Sequence, residues 1–182
     1  ETNDININDV INSTCEKLIE RHPHVYSNDV AKTEEEVKKN WEKIKLNNGR
    51  KSVLEGVPKS LPAMVKATRV QEKARGVGFD WENVNQVFEK VKEEFTELHD
   101  EVIIKNNKTK VEKEFGDVLF SLINYARFIG VDPESALERT NKKFISRFSF
   151  LEKEVNRKGL NLDSMNLEEM ENIWNESKKI HP

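Results

Sequence analysis

Apolar residues recur along this chain at three- and four-residue spacing, in runs separated by short breaks rich in proline, glycine or asparagine. Between 8 and 22, Val10, Ile11, Leu18 and Ile19 fall near one helix face. The run stops at His22-Pro23, because proline disfavours helical geometry in the residue before it. Thr33 followed by Glu36 has the form of a capping box and predicts a second helix through Trp41, Ile44 and Leu46, closing near Asn47-Asn48-Gly49. Residues 50–59 read as linker. Ser60 is the expected cap of a third helix, with Pro62 in its first turn and Met64, Val65 and Ala67 following, until Gly76-Val77-Gly78 breaks it. A long helix is predicted over about 82–104 and another over about 110–129. The second has Phe115, Val118, Leu119, Leu122 and Ala126 as its expected buried stripe and Gly130 as its stop. Asp132-Pro133 opens a helix to about 158, with Ala136, Leu137, Thr140, Phe144, Phe148 and Leu151 at core spacing. A last helix follows Asn166, whose pairing with Glu169 is again a capping-box pattern, and carries Leu167, Met170, Ile173 and Trp174. No strand-like alternation competes with these runs, so the expected fold is all-α, a helical bundle over about 60–180.

Composition sharpens this picture. With 182 residues the chain can hold one domain, or one domain plus a helical extension. At 35% charged and 36% hydrophobic residues with 7 Gly and 5 Pro, it suits long amphipathic helices better than turn-rich β structure. The polar stretch at 47–59 is the expected boundary, dividing an N-terminal helical segment, 1–52, too small to fold alone, from a main domain, 53–182. The 30 basic and 33 acidic residues are interleaved, and the net charge of −3 argues against a nucleic-acid partner. A single cysteine, Cys15, cannot form an internal disulfide. No apolar stretch approaches the roughly 18 residues that cross a bilayer, and no secretory pattern is visible. A cytoplasmic protein with small-molecule partners and no membrane contact is expected.

The chemistry concentrates in KVKEEFTELHDEVIIKNNKTKVEKEFGDVLF, residues 90–120. Residues three apart on a helix share a face, so Glu94 and Glu97 form one oxygen pair and Glu114 and Asp117 a second. The polar segment 99–109 is short enough to reverse the chain into an antiparallel hairpin and bring the pairs together. Four converging carboxylates repel unless a cation sits between them. Gly116 interrupts an apolar helix at a cost of about 1 kcal/mol, which close helix packing around a metal would offset. The bland alternative is a solvated charged face, the usual place for acids at this spacing. Neither Glu94 nor Glu114 has the histidine three residues on that a di-iron site requires, and His99 is out of register. His22 and His24 flank Pro23 without a third ligand nearby, which reads as a helix terminus and not a zinc site. A hard, oxygen-seeking cation is favoured.

The run Glu93-Glu94-x-x-Glu97 and then Glu114-x-x-Asp117 resembles the signature of the all-α nucleoside triphosphate pyrophosphohydrolases, in their MazG branch. The flanking segments SLPAMVKATRVQEKARGVGFDW (60–81), EFGDVLFSLINYARFIGVDPESALERTNKKFISRF (114–148) and LEEMENIWNESK (167–178) resemble the same family, so the likeness spans about 53–180. CEKLIERHPHVY is similar to the tail of the first of two tandem MazG repeats. One acid signature is present, and the chain begins at Glu1. It therefore reads either as truncated upstream or as having kept only the second, catalytic unit.

What the resemblance implies is specific. The fold would be a MazG-like bundle of helical hairpins assembling as an interleaved homodimer. The reaction would be Mg²⁺-dependent hydrolysis of nucleoside triphosphates, NTP or dNTP, to monophosphate and pyrophosphate, a nucleotide-pool house-cleaning activity, with Mn²⁺ an accepted substitute. Glu94, Glu97, Glu114 and Asp117 would be the metal ligands, with Glu93 an outer-sphere or base partner. Lys90, Lys110, Asn141, Lys143, Arg147, Trp174 and Lys178 match the family's nucleotide contacts. Independently of it, Lys143 and Arg147 are four apart on one helix and suit a triphosphate clamp, and Trp174 suits base stacking; a solvated face and a core residue are the ordinary alternatives. Lys113 departs from the family, which often has an acid there. A narrow-specificity relative acting on dUTP, dCTP or phosphoribosyl-ATP, and a non-catalytic helical regulatory module, are the alternative functions.

Overall fold

The computed structural model describes residues 6–26, 52–105 and 107–180, together with Thr33 and Val37. Among them every regular element is helical and no strand forms. The helices are α1 (Ile7–Arg21), a short α2 (Pro23–Tyr26), α3 (Ala63–Gly76), α4 (Val84–Asp100), α5 (Lys108–Phe128), α6 (Pro133–Arg157) and α7 (Leu167–Ile180). The helix expected over 33–49 lies outside the described residues, apart from the Val37 N–H donating to the Thr33 carbonyl at 3.1 Å.

Local chemistry explains most boundaries. Asn83 accepts from the N–H groups of Asn85 and Gln86, both at 3.1 Å, and so opens α4. Asp132 accepts from Ser135 N–H at 2.7 Å with Pro133 next in line, and α6 begins there. The Asn166/Glu169 box at the head of α7 is reciprocal, with both hydrogen bonds at 2.9 Å. Gly130, at a φ of +70°, terminates the turn after α5 where a side chain would be strained. His22 caps α1, its Nδ1–H donating to the Leu18 carbonyl at 2.7 Å, which fits a helix terminus.

Two expectations about helix ends fail. Ser60 does not cap the third helix; Pro62 occupies the N-cap without a side-chain hydrogen bond, since it presets the extended backbone from which α3 starts. The helix expected to reach residue 104 stays α-helical only to Asp100, and Glu101–Lys105 form a π-helical turn.

The chain divides into two compact units, Glu1–Phe128 and Ile129–Pro182. In the first, α4 and α5 pack extensively as a hairpin, and α3 packs on α5. The Phe88 and Tyr125 rings meet at 5.4 Å, so the start of α4 lies beside the end of α5, as an antiparallel register requires. Val87 and Val91 on α4 and Val118, Ser121 and Ile123 on α5 are buried. Gln71 on α3 donates its amide to the Phe120 carbonyl at 2.8 Å. Arg127 grips the loop before α4, giving NH1 to Asp80 Oδ2 at 2.9 Å and NH2 to Asp80 Oδ1 at 2.5 Å, while Nε donates to Asn124 Oδ1 at 3.1 Å. In the second unit, α6 and α7 form a hairpin around Leu151, Val155 and Ile173, with Phe150, Leu162, Met165, Met170 and Trp174 packed on that cluster.

Several expected core residues are exposed: Phe115, Leu119 and Leu122 on α5, Leu137, Phe144 and Phe148 on α6, and Leu167 on α7. The apolar stripe is wider than the contact that one neighbouring helix covers, so only part of it is buried within each unit. On α1 no residue is buried.

Candidate metal centre

The facing stretches of α4 and α5 bring acids together. One carboxylate oxygen each from Glu94, Glu97 and Glu114 lie within 4.8 Å of one another. The antiparallel hairpin produces this, because the residues follow Val87 and Val91 along α4 and precede Val118 on α5, the positions that the two helices bury. Glu94 is itself buried, with 10% of its side chain exposed, whereas Glu97 is exposed and Glu114 lies between. Asp117, one turn after Glu114, is outside this triplet; its carboxylate is 3.7 Å from the Lys113 ammonium, which is also 3.6 Å from Glu114. Glu93 is half-exposed beside the cluster.

A lysine holds the buried acid. The Lys90 ammonium donates to Glu94 Oε1 at 2.8 Å and to Glu93 Oε1 at 2.9 Å. Those hydrogen bonds, to Glu94 first and Glu93 second, raise its pKa well above the ordinary lysine range. Glu101, four residues after Glu97 and at the entry to the π-helical turn, is a buried carboxylate that sequence reasoning did not single out. Its four- and seven-residue spacing from Glu97 and Glu94 was the available signal.

The expected nucleotide contacts distribute over both units. Lys90 and Lys110 belong to the first, the backbone of Lys110 being held by Asn107 Oδ1 at 3.3 Å. Asn141, Lys143 and Arg147 lie on α6 and Trp174 and Lys178 on α7. Asn141 and Lys143 are exposed, and Lys178 donates to Asn175 Oδ1 at 2.8 Å. Trp174 is half-buried, 5.1 Å from the Phe144 ring and packed on the Leu151 cluster, so part of its surface already serves the core. A separate cavity of about 430 Å³ in the second unit, lined by Ser149, Glu152, Lys153, Val155, Asn156, Asn161 and Leu162, contains none of these residues.

The close packing invoked to explain Gly116 is absent among the described residues, since a Cβ there would meet nothing within 4 Å. No helix among them is long and apolar enough to cross a membrane.

Residues 1–26 and 82–149 match the MazG nucleotide pyrophosphohydrolase domain, a span that contains all of the signature acids. The chain belongs to the MazG family. Among its relatives, the nucleoside triphosphate pyrophosphohydrolase/pyrophosphatase MazG of Thermotoga maritima is 39% identical over 175 residues, covering 94% of this chain and 66% of the relative. The nucleoside triphosphate pyrophosphohydrolase of Escherichia coli is 37% identical over 177 residues, covering 94% of this chain and 67% of the relative. YabN of Bacillus subtilis, uncharacterised by name, is 46% identical over 176 residues, which are 95% of this chain and 36% of that protein. This MazG-family chain thus spans about two thirds of the length of the first two.

Proposed function

We propose that this chain is a Mg²⁺-dependent nucleoside triphosphate pyrophosphohydrolase, releasing monophosphate and pyrophosphate from NTPs or dNTPs in nucleotide-pool house-cleaning. The observation that carries the reading is the oxygen triplet of Glu94, Glu97 and Glu114 on a hairpin of MazG-family sequence. The donor set fits the metal: it offers carboxylate oxygens without cysteine or histidine, the chemistry that hard divalent cations prefer. Glu94, Glu97 and Glu114 would hold it, with Asp117 as the fourth proposed ligand and Mn²⁺ as a substitute. When bound, such an ion supplies charge neutralisation of phosphate oxygens and acidification of water.

The chain's own groups do the rest. Glu93, exposed beside the cluster, is the proposed acceptor of the proton from the attacking water. Lys90 and Lys110 offset phosphate charge from the acid-bearing unit. In the second unit Lys143 and Arg147, one turn apart on α6, are the proposed phosphate clamp, Lys as a point charge and Arg as a fork. Asn141 and Lys178 are proposed polar contacts to the nucleotide, and the free surface of Trp174 a stacking face for the base. Such catalysis is mainly positioning and electrostatics.

The same reading proposes a homodimer, supported by the exposed apolar residues of α4 and α5. It also proposes that 1–52 is the tail of a first repeat and 53–182 the catalytic domain, supported by the family match at 1–26. A cytoplasmic location is proposed from the lone Cys15, which is exposed and free. Chromatographic product analysis tests the reaction, with each common NTP and dNTP, with Mg²⁺ or chelator, beside Glu97→Gln. Mg²⁺-dependent monophosphate and pyrophosphate, lost in the variant, are expected. Diphosphate product refutes the cleavage position, turnover of a single triphosphate means a narrow-specificity enzyme, and no turnover means a non-catalytic module.

A further inference from the structure

We propose that Lys90 is a built-in counter-ion that occupies the acid cluster in the metal-free protein and competes with the divalent cation for Glu94. The inference rests on the metal reading above and adds a role for this chain's own lysine.

Ordinary one-turn ion pairs on these helices are solvated at both ends. Arg69–Glu72 and Lys92–Glu89 each have both side chains about half exposed or more. Such pairs contribute little. Lys90 differs, because its partner Glu94 is only 10% exposed and the ammonium sits between two carboxylates at 2.8 and 2.9 Å. Hydrogen bonds between charged groups are shorter and stronger than neutral ones, and strongest where water is excluded. Without a cation, Glu94 would be a buried charge facing the like charges of Glu97 and Glu114. Lys90 removes that cost.

The consequence is competition. A divalent ion at Glu94 must displace the ammonium or accept a positive neighbour bonded to the same carboxylate. Either way the lysine weakens metal binding while stabilising the empty site. Displacement also leaves the Lys90 ammonium free for another anion, and a phosphate oxygen is one in the proposed reaction. Lys113 is the internal contrast. It stands 3.6 and 3.7 Å from Glu114 and Asp117 with 72% of its side chain exposed, so its hold on the second acid pair is loose.

Two measurements with Mn²⁺ as the probe test this. Calorimetric titration of the native chain, Lys90→Met and Lys113→Met should show Kd for Mn²⁺ falling about tenfold in the first variant, the loss of one charge-assisted bond, and by less than about twofold in the second. Lys90→Met should also lower the melting temperature in chelator. On the native chain, amine-labelling footprinting should show Lys90 reacting several-fold faster with Mn²⁺ than in chelator, with Lys92 unchanged as the reference; this readout does not depend on a variant folding. Mn²⁺ binding with the same affinity in Lys90→Met and unaltered Lys90 labelling overturns the counter-ion while leaving the metal site standing. Failure of the native chain to bind Mn²⁺ overturns both.

Discussion

Replacing Glu97 by glutamine should make the metal-free protein more stable and the metal-loaded protein less so. Glu97 is the exposed member of the triplet, and its carboxylate oxygen lies within 4.8 Å of those of Glu94 and Glu114. At 4.8 Å two like unit charges repel by about 3.5 kcal/mol at an effective dielectric of about 20, and by about 0.9 kcal/mol in bulk water. Lys90 neutralises Glu94, so the repulsion that counts is the one with Glu114. Because Glu97 reaches solvent, the lower figure applies, and Glu97→Gln should gain about 1 kcal/mol in chelator. If the proposed site takes Mg²⁺, the native chain at about one hundred times the Kd should gain about 2.7 kcal/mol, whereas the variant, short of one ligand, should gain little. The order of stabilities therefore reverses between the two conditions. Urea unfolding followed by far-ultraviolet circular dichroism, in chelator and in Mg²⁺, measures this directly. A variant less stable than native in chelator, or one that gains as much from Mg²⁺, would refute the view of Glu97 as a repelled metal ligand.

Asp80→Asn should destabilise the first unit by about 2 kcal/mol, because it leaves the Arg127 guanidinium, 12% exposed, without its charge partner; unfolding midpoints check this, and a change below about 0.5 kcal/mol would show the pair to be idle. Gly116→Ala should stabilise the monomeric hairpin by up to about 1 kcal/mol, since the site is helical and open; a loss in dilute solution would mean that an atom approaches there after all. The hydrogen bonds from Ser135 hold the Asp132 carboxyl below its ordinary pKa, so its charge contributes stability above the unfolded carboxylate pKa and loses it as pH falls through the lower folded value. Asp132→Asn keeps the cap but not the charge. Melting temperatures of the two proteins should therefore differ at neutral pH and converge below the native Asp132 pKa.

Features settled by chemistry within a few residues were legible in the sequence. Asn166 with Glu169, Asp132 with Pro133, and Gly130 each act on their own turn, and the helices start or stop there. The convergence of Glu94, Glu97 and Glu114 was legible for the same reason, because three-residue spacing fixes a shared face and the chain reversal brings two such faces together, although Asp117 stays outside the triplet. Features settled by competition between alternatives were not. Lys90 has Glu93 and Glu94 within one turn and engages both, while Lys113 holds neither of its acids closely; spacing does not distinguish these outcomes, and the lysines' own exposure does, 34% for the Lys90 side chain against 72% for Lys113. The π-helical turn at Glu101–Lys105 is likewise a tertiary choice, placing an extra residue where the hairpin reverses. Ser60 lost its capping role to Pro62, whose backbone was already set.

The misread stripe on α5 has the widest consequence. Phe115, Leu119 and Leu122 recur at helical spacing, as core residues do, yet they are exposed, as are Phe88 and Phe95 on α4. Burying a phenylalanine or leucine side chain is worth about 1.5–3 kcal/mol, so a periodic row of them left in water is a substantial unclaimed driving force. A second copy of the hairpin, as proposed, would claim it. Gly116 adjoins Phe115 in that helix, and a glycine open to solvent within one chain is the position where another helix could approach most closely. The two roles pull in opposite directions under one substitution. If the face is an interface, Gly116→Ala should strengthen the hairpin at low concentration and weaken association at high concentration, so that sedimentation equilibrium and unfolding move oppositely. If the face is merely solvated, only the stabilisation should appear, and the apolar stripe would then have to be explained by something other than self-association.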